Sequence, residues 1–158
     1  MKTYYDQISK GYNELHKEEQ LNKVYFIKEH IKINKGDKLL DVGCGTGISG
    51  EAFLDVCDVV GIDTSKEMIR WANFKTFLGR AEELPFENKS FDIVVCLSAI
   101  QNFEDMEKAV KEIERVARRV VVISIIKKSV KADILRNLLE DYEEFKEEKD
   151  FIFIKSIT

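Results

Sequence analysis

The chain has 158 residues, a length that suits one folded domain with a sizeable core, and we expect residues 1–158 to form a single domain. Its content of 44% hydrophobic and 34% charged residues is that of an ordinary globular protein. The net charge of −4 argues against a surface that binds nucleic acid over its whole extent.

The cysteines, the histidines and the hydropathy pattern further limit the type of protein and its cellular compartment. Three Cys without paired spacing argue for a reducing compartment and against a disulfide framework. His16 and His30 are too few and too far apart to predict a metal site. The N-terminus has no signal-peptide pattern, and no apolar run approaches the ~20 residues of a membrane span. We therefore expect a soluble, cytoplasmic protein.

The first predicted element is helical. Residues 4–33 have an amphipathic pattern, in which apolar side chains recur at helix spacing between Lys and Glu: Leu21, Val24, Tyr25 and Ile31. Gly36 ends the pattern.

A short apolar run followed by glycines occupies residues 39–50, with the sequence LLDVGCGTGISG. Residues 38–42 are predicted to form a buried strand of a parallel sheet, and residues 46–54 a helix. Gly43 and Gly45 can adopt positive φ and let a ligand approach the bare backbone. The pattern therefore predicts a strand, a ligand-binding glycine turn and a helix N-terminus.

The spacing of glycines and acids indicates which ligand the turn binds. The third glycine of a dinucleotide fingerprint would fall on position 48, which is Ile48. Asp41, before the turn, would repel a pyrophosphate but suits a ligand with an ammonium and a sulfonium. Asp63 ends a second apolar run 20 residues after Gly43 and can accept hydrogen bonds from both hydroxyls of a ribose.

The next elements are short. Ser65 suits the N-cap of a helix that is predicted to reach about Asn73. Residues 74–78 are predicted to form a third strand. The stretch that follows leaves no room for the usual crossover helix, so this strand is expected to lie at an edge of the sheet.

Polar residues follow the strongly apolar strand predicted over residues 91–97. Open α/β sheets bind ligands at the carboxyl ends of their strands, where Gln101 and Asn102 should lie. Both amides could orient a substrate amide, ring nitrogen or hydroxyl. They could equally be polar residues that cap a helix.

The remaining pattern predicts the fold class. It contains a helix, a strand, another helix and a closing hairpin, over residues 105–117, 120–126, 131–142 and 143–154. We expect an α/β fold with a Rossmann-like, seven-stranded, mostly parallel sheet, helices on both faces and an antiparallel last strand.

Four motifs together resemble the class I S-adenosylmethionine-dependent methyltransferases, as a small member of the methyltransferase domain 11 type. They are LDVGCGTG at 40–47, GIDTS at 61–65, AEELPF at 81–86 and SFDIV at 90–94. Residues 47–50 and 97–101 are also similar to the eukaryotic enzyme that methylates a guanine N7 in small-subunit ribosomal RNA. The resemblance implies S-adenosylmethionine as cofactor and S-adenosylhomocysteine as product.

The resemblance also implies site residues. Glu82 would recognise the adenine amino group, and Tyr4 and Tyr12 would belong to a lid formed by the helices of residues 1–33. The full expected cofactor-binding set is Tyr4, Tyr12, Asp41, Gly43, Cys44, Gly45, Gly47, Asp63, Thr64, Met68, Ala81, Glu82, Leu97 and Ser98.

Two of these assignments have structural alternatives. The tyrosines could simply pack a helix onto the sheet, and Glu82 could belong to a solvated turn. Gln101 and Asn102 are the candidate residues for substrate positioning, and many relatives have a His at one of these positions. The absence of a His at both positions argues against a His general base in this loop. A ring-nitrogen acceptor would not need such a base.

Three function classes remain open. The first is a methyltransferase that acts on RNA or on a protein of the translation machinery; the others are a quinone or metabolite methyltransferase and a non-catalytic cofactor-binding scaffold. Residues 108–136 contain nine Lys or Arg against three acids, a local balance of +6. Lys127, Lys128 and Lys131 should lie on the cofactor side of the sheet, where they could face phosphates or merely solvent.

The resemblance implies a possible partner as well. Several RNA and protein methyltransferases of this superfamily need a small zinc-binding activator that adds a strand beside their own edge strand. The predicted edge strand at residues 74–78 would suit this type of pairing. The alternative is an edge that is merely short and twisted.

Overall fold

A computed structural model describes the backbone of residues 4–158 and the side chains of residues 14–158. The helices are α1 Tyr4–His30, α2 Ile48–Glu51, α3 Lys66–Ile69, α4 Met106–Val116 and α5 Ala132–Leu138, with a 3₁₀ turn at Ile100–Asn102. The strands are β1 Lys38–Val42, β2 Asp58–Asp63, β3 Lys75–Leu78, β4 Phe91–Leu97, β5 Ala117–Ile126, β6 Glu143–Lys146 and β7 Asp150–Ser156.

The seven strands form one sheet in the order β3-β2-β1-β4-β5-β7-β6. All neighbouring strands from β3 to β5 are parallel, whereas β7 is antiparallel to both β5 and β6. The predicted fold class is therefore confirmed. Because β7 runs in the opposite direction, it starts at the edge where the parallel strands end, and Asp150 pairs with Ile126 there.

Helices cover both faces of the sheet. On one face, Val24 and Ile27 of α1 pack with Phe53 against alternate strand residues such as Leu39 and Val95. On the other face, α4 and α5 bury apolar residues such as Ile113 against the opposite side chains of the same strands. This alternation follows from the two-residue period of a strand, and it explains why the central strands are apolar almost throughout.

The N-terminal helix differs in two respects from the prediction. It ends at His30 instead of residue 33, and Tyr25, which was expected on the apolar face, is 54% exposed. Ile27, at helix spacing from Val24, is buried in its place. The side chains of Tyr4 and Tyr12 lie outside the described residues, so their expected place over the cofactor stays a prediction.

Three helices are shorter than predicted. α2 and α5 end early, and α3 ends at Ile69 instead of about Asn73. Ser65 does cap α3, because its side chain accepts a hydrogen bond from the Met68 amide at 3.3 Å. After Ile69 the chain turns so that Ala72 and Phe74 pack beneath the glycine turn, and this packing prevents the helix from continuing.

The observed strand directions are those of the predicted, mostly parallel sheet. Arg118 and Arg119 lie at the amino ends of the parallel strands, where they pair with Asp92 and Asp37. β3 is an edge strand, and no helix follows it before β4 in the described chain.

None of the helices described here combines the length and apolar content needed to cross a membrane.

Candidate functional site

A cavity of about 1100 Å³ lies at the carboxyl ends of the parallel strands. This volume is slightly above the usual range for small-molecule sites, about 300–1,000 Å³, so it offers room for a cofactor and part of an acceptor. Its lining comes from α1, the glycine turn, the ends of β2 and β4, the loop after β3 and the start of β7.

The glycine turn has the backbone conformation that the sequence predicted. Gly43 has φ +76° and Gly45 has φ +55°, a region that side-chain-bearing residues rarely adopt. The Gly43 and Cys44 amides donate to the Ile62 carbonyl at 2.8 and 3.2 Å, which fixes the turn to β2. A Cβ at position 43 would lie 2.6 Å from the Ala99 Cβ, so the loop after β4 closes directly over the turn.

Gly47 has a packing role that the sequence analysis did not predict. It does not line the cavity, although it was expected to bind the cofactor. Its φ is +90°, and a Cβ at this position would lie 2.9 Å from the Ala72 Cβ. The residue is therefore glycine because the chain after α3 packs closely against it.

Asp41 is a buried acid at the floor of the cavity. The residue is 2% exposed, and none of the described residues forms a hydrogen bond with its Oδ2 atom. Burial, together with the negative charge of Asp63, raises the pKa of Asp41 to about 7. A buried acceptor without a partner is costly, so this atom fits a ligand that brings a donor or a positive charge.

Asp63 is held at the tip of β2 by backbone donors. Its Oδ2 accepts a hydrogen bond from the Gly45 amide and its Oδ1 one from the Ser65 amide, both at 2.9 Å. The carboxylate lines the cavity, and each oxygen retains a lone pair. This geometry links the glycine turn to the acid that was predicted to bind ribose hydroxyls.

Glu82 is buried and already anchors a loop. Its Oε2 accepts hydrogen bonds from the Glu104 and Asp105 amides at 3.0 and 3.3 Å, and Arg80 lies 3.7 Å away. No donor among the described residues reaches Oε1, which is the oxygen left to accept from an adenine amino group. The alternative of a solvated turn does not hold for this side chain, because the residue is only 5% exposed.

Polar residues of α1 are buried against the cavity. Lys23 donates to Asp150 Oδ2 at 3.0 Å and to Ser98 Oγ at 2.5 Å, and Ser98 Oγ donates to the same Asp150 oxygen at 2.7 Å. One turn earlier, Gln20 Oε1 accepts a hydrogen bond from Ser49 Oγ at 2.8 Å. These bonds join α1 to three other parts of the cavity: α2, the end of β4 and the start of β7.

The loop after β4 is held from two sides. Ser98 has φ +54°, and its carbonyl accepts a hydrogen bond from Gln101 Nε2 at 2.8 Å. The Gln101 carbonyl in turn accepts one from Lys131 Nζ at 2.7 Å. Gln101 Oε1 is buried without a hydrogen-bond partner among the described residues, so this amide retains an acceptor at the cavity.

Most of the predicted site residues meet in this one cavity. Its lining includes Asp41, Gly43, Cys44, Gly45, Asp63, Thr64, Met68, Ala81, Glu82, Leu97, Ser98, Gln101 and Asn102. Polar groups of α1 and of the β7 start, which were not predicted from the sequence, also line the cavity: His16, Glu19, Gln20, Lys23, Lys149 and Asp150. We call these six residues, together with Gln101 and Asn102, the polar lining.

The sequence offered little signal for the missed residues. Lys23 and Gln20 interrupt an apolar helix pattern and look like a solvated face, and Asp150 follows a run of Glu and Lys. The helix spacing of His16, Gln20 and Lys23, which places them on one side of α1, was the available clue. Burial and the positive charge of Lys23 lower the pKa of His16, although the carboxylates of Glu19 and Asp150 act in the opposite direction.

Comparison with known proteins identifies the family. Residues 40–125 match the model of the methyltransferase domain family Methyltransf_11, a range that contains the glycine turn, Asp63, Glu82 and the loop after β4. The chain belongs to this family of class I S-adenosylmethionine-dependent methyltransferases.

Individual relatives agree with this membership. An uncharacterized protein of Methanocaldococcus jannaschii is 36% identical over 122 residues, which cover 75% of this chain and 47% of the relative. A demethylmenaquinone methyltransferase of Staphylococcus aureus is 32% identical over 136 residues, covering 72% of this chain and 54% of the relative. The methyltransferase chain thus spans about half the length of these curated relatives.

Solved structures share the fold. A methyltransferase of Haloferax volcanii, determined in complex with the Trm112 methyltransferase activator, superposes with a TM-score of 0.70. The match covers 90% of this chain and 93% of that one at 14% identity, so it shows a common fold.

The residues present fit S-adenosylmethionine. Asp41 provides a buried carboxylate without a partner on Oδ2, which suits a cationic ligand. The glycine turn exposes its backbone to the cavity, and Asp63 and Glu82 each retain an acceptor position beside it. Asp41 would hold the cationic end beside the glycine turn, Asp63 the ribose and Glu82 the adenine.

Proposed function

We propose that the protein is an active S-adenosylmethionine-dependent methyltransferase whose acceptor is a polar group of RNA or of a translation-related protein. The observation that carries this proposal is the polar lining, which borders the same cavity as the glycine turn and Asp63. The lining also contains apolar side chains, of which Leu15 and Ile126 are more than 40% exposed.

The residues of the chain act mainly by binding and orienting. When bound, S-adenosylmethionine supplies a methyl group on a sulfonium, which is already activated. Asp41, Asp63 and Glu82 fix the position of the cofactor, and Gln101 and Asn102 are placed to orient the acceptor. Alignment of two reactants can by itself lower a barrier by several kcal/mol. A ring nitrogen with a free lone pair needs no proton removed before it attacks, so the loop after β4 requires no His.

Methyl transfer to cell fractions tests the proposal. The purified chain is incubated with S-adenosylmethionine labelled on the methyl group and with the RNA, protein and lipid fractions of its source cells. We expect label that is precipitated by acid and sensitive to ribonuclease or protease. Asp63→Ala is the control, because it removes the acid at the tip of β2 and should abolish both calorimetric cofactor binding and labelling.

Two results would contradict the proposal. Cofactor binding by the wild-type chain without label in any fraction would favour the non-catalytic cofactor-binding scaffold. Label that is extracted into organic solvent would favour the second candidate, a quinone or metabolite methyltransferase. The 32% identity to demethylmenaquinone methyltransferase is the observation that supports this second candidate.

The proposal includes a strand-adding partner, a small zinc-binding activator that pairs with β3. Two observations support it: β3 is an edge strand whose Leu78 is 57% exposed, and the Haloferax volcanii neighbour was determined in complex with a methyltransferase activator. Coexpression with the activator should increase solubility and cofactor affinity. A chain that is fully active alone and unaffected by the activator would contradict this part.

A further inference from the structure

Three lysines follow the end of β5, and we name Lys127, Lys128 and Lys131 the basic rim. Ile126, which lines the cavity, directly precedes them. Lys131 Nζ donates to the carbonyl of Gln101 at 2.7 Å, and Lys127 Nζ donates to the carbonyl of Glu148 at 3.2 Å. Both carbonyls belong to segments that contribute to the lining, so the ammonium groups of Lys127 and Lys131 lie beside the cavity. The exposed Lys128 follows Lys127 directly in the chain.

The charges of the basic rim are not neutralised by acids. Other cations at the cavity pair with carboxylates: Lys23 with Asp150, Arg80 with Glu104 and Lys149 with Glu19. Within the described chain, no rim lysine has a carboxylate partner, since Lys127 and Lys131 bind only backbone carbonyls. The nearby Asp133 is instead associated with Arg136, at 3.9 Å. The rim therefore keeps three positive charges in a protein whose net charge is −4.

We infer that the basic rim binds the phosphates of single-stranded RNA on either side of the nucleotide that enters the cavity. A base can reach a cavity of this kind only when it is unpaired and unstacked, which places the flanking backbone at the mouth. Uncompensated lysines at that position attract phosphates and release their counterions. This inference rests on the proposed function and names RNA as its acceptor.

An exposed apolar residue lies between the lysines. Val130 is 93% exposed, and Ile134, on the following helix, is 55% exposed. Lysines mixed with exposed apolar side chains would also suit an anionic lipid surface. The polar lining next to the rim favours RNA, and vesicles provide the second arm of the test.

Salt-dependent RNA binding tests the inference. Affinity for a fluorescently labelled single-stranded RNA of 20 nucleotides is measured over a range of salt concentrations for the wild type, Lys127→Gln/Lys128→Gln and the triple variant with Lys131→Gln. The slope of log K against log salt is negative, and each lost phosphate contact lowers its magnitude by about 0.7. We expect a decrease of about 1.4 for the double variant and about 2 for the triple variant, with a loss of affinity of roughly tenfold.

Three lysines near the amino ends of the parallel strands provide a matched control. Lys32, Lys35 and Lys38 are also exposed and lie within seven residues of one another, but at the amino end of β1. Their triple change to Gln alters the net charge equally and should leave the slope unchanged. The double rim variant keeps the hydrogen bond from Lys131 to Gln101. It therefore separates the effect of lost charge from a disturbance of the loop after β4.

Each outcome decides the inference. Equal effects of rim and control variants, or no RNA binding by the wild type at low salt, would overturn it. Binding to vesicles of anionic lipid that is lost in the rim variants, with unchanged RNA affinity, would overturn it in favour of a lipid surface. Calorimetric titration with S-adenosylmethionine accompanies every variant: retained cofactor binding with a failed RNA test leaves the methyltransferase proposal intact, and absent binding in the wild type refutes that proposal separately.

Discussion

At the scale of single residues, the buried carboxylate of Asp41 should lower the stability of the unliganded chain, although cofactor binding depends on it. Its pKa is raised from 3.8 to about 7 in the folded chain, so the unfolded chain loses this proton at lower pH than the native one. Without ligand, the free energy of unfolding should therefore fall as the pH rises from about 4 to about 7. We expect Asp41→Asn to remove this fall and to bind the cofactor poorly.

Urea unfolding of the two proteins at several pH values checks this prediction. At pH 8 the variant should be the more stable by a few kcal/mol, at most about 4 from the size of the shift, and the difference should shrink towards pH 4. The exposed Asp133→Asn is the control. A difference between wild type and Asp41→Asn that is independent of pH would contradict the raised pKa.

At the scale of elements, a buried ion pair fixes α1 to the sheet. The side chains of Lys23 and Asp150 are each 4% exposed and lie 3.0 Å apart. Lys23→Met should destabilise the chain by about 3–5 kcal/mol, because it leaves a buried carboxylate without its cation. The double change Lys23→Met/Asp150→Leu should cost much less than the sum of the single changes.

The exposed pair of Glu19 and Lys149 is the matched control, since it joins the same two segments at 2.5 Å. Its loss through Lys149→Met should cost at most about 1 kcal/mol. A double-mutant cycle from denaturant unfolding measures both couplings. Additive effects at Lys23 and Asp150 would show that the pair does not hold α1 in place.

The elements also show what the sequence could predict. All seven strands were found; the central ones, such as β4, are short buried apolar runs that can be recognised without knowledge of their neighbours. The length of α3 was wrong, because the contact between Ala72 and Gly47 that ends it is tertiary. In the candidate site, the glycine turn and Asp63 have local motifs, whereas Lys23 and Asp150 are 127 residues apart and look solvent-exposed until the fold joins them.

At the scale of the whole molecule, the cofactor should stabilise the fold, because its site joins segments from most of the chain. At a concentration of 100 times the dissociation constant, a ligand adds about 2.7 kcal/mol. For a chain of this size we expect the melting temperature to rise by roughly 5–10 °C. Thermal unfolding with S-adenosylhomocysteine measures the shift, and Asp63→Ala should show none; an equal shift in that variant would place the ligand elsewhere.

The position of β7 has a consequence for synthesis on the ribosome. β6 is made first, but in the sheet it hydrogen-bonds only to β7, which separates it from β5. A nascent chain that has not yet reached Asp150 therefore has no partner for β6, an uncovered edge along the ten-residue β5 and no counter-ion for Lys23. Such an edge invites aggregation and recognition by chaperones. The cofactor cavity is thus completed only after the start of β7 has been synthesised.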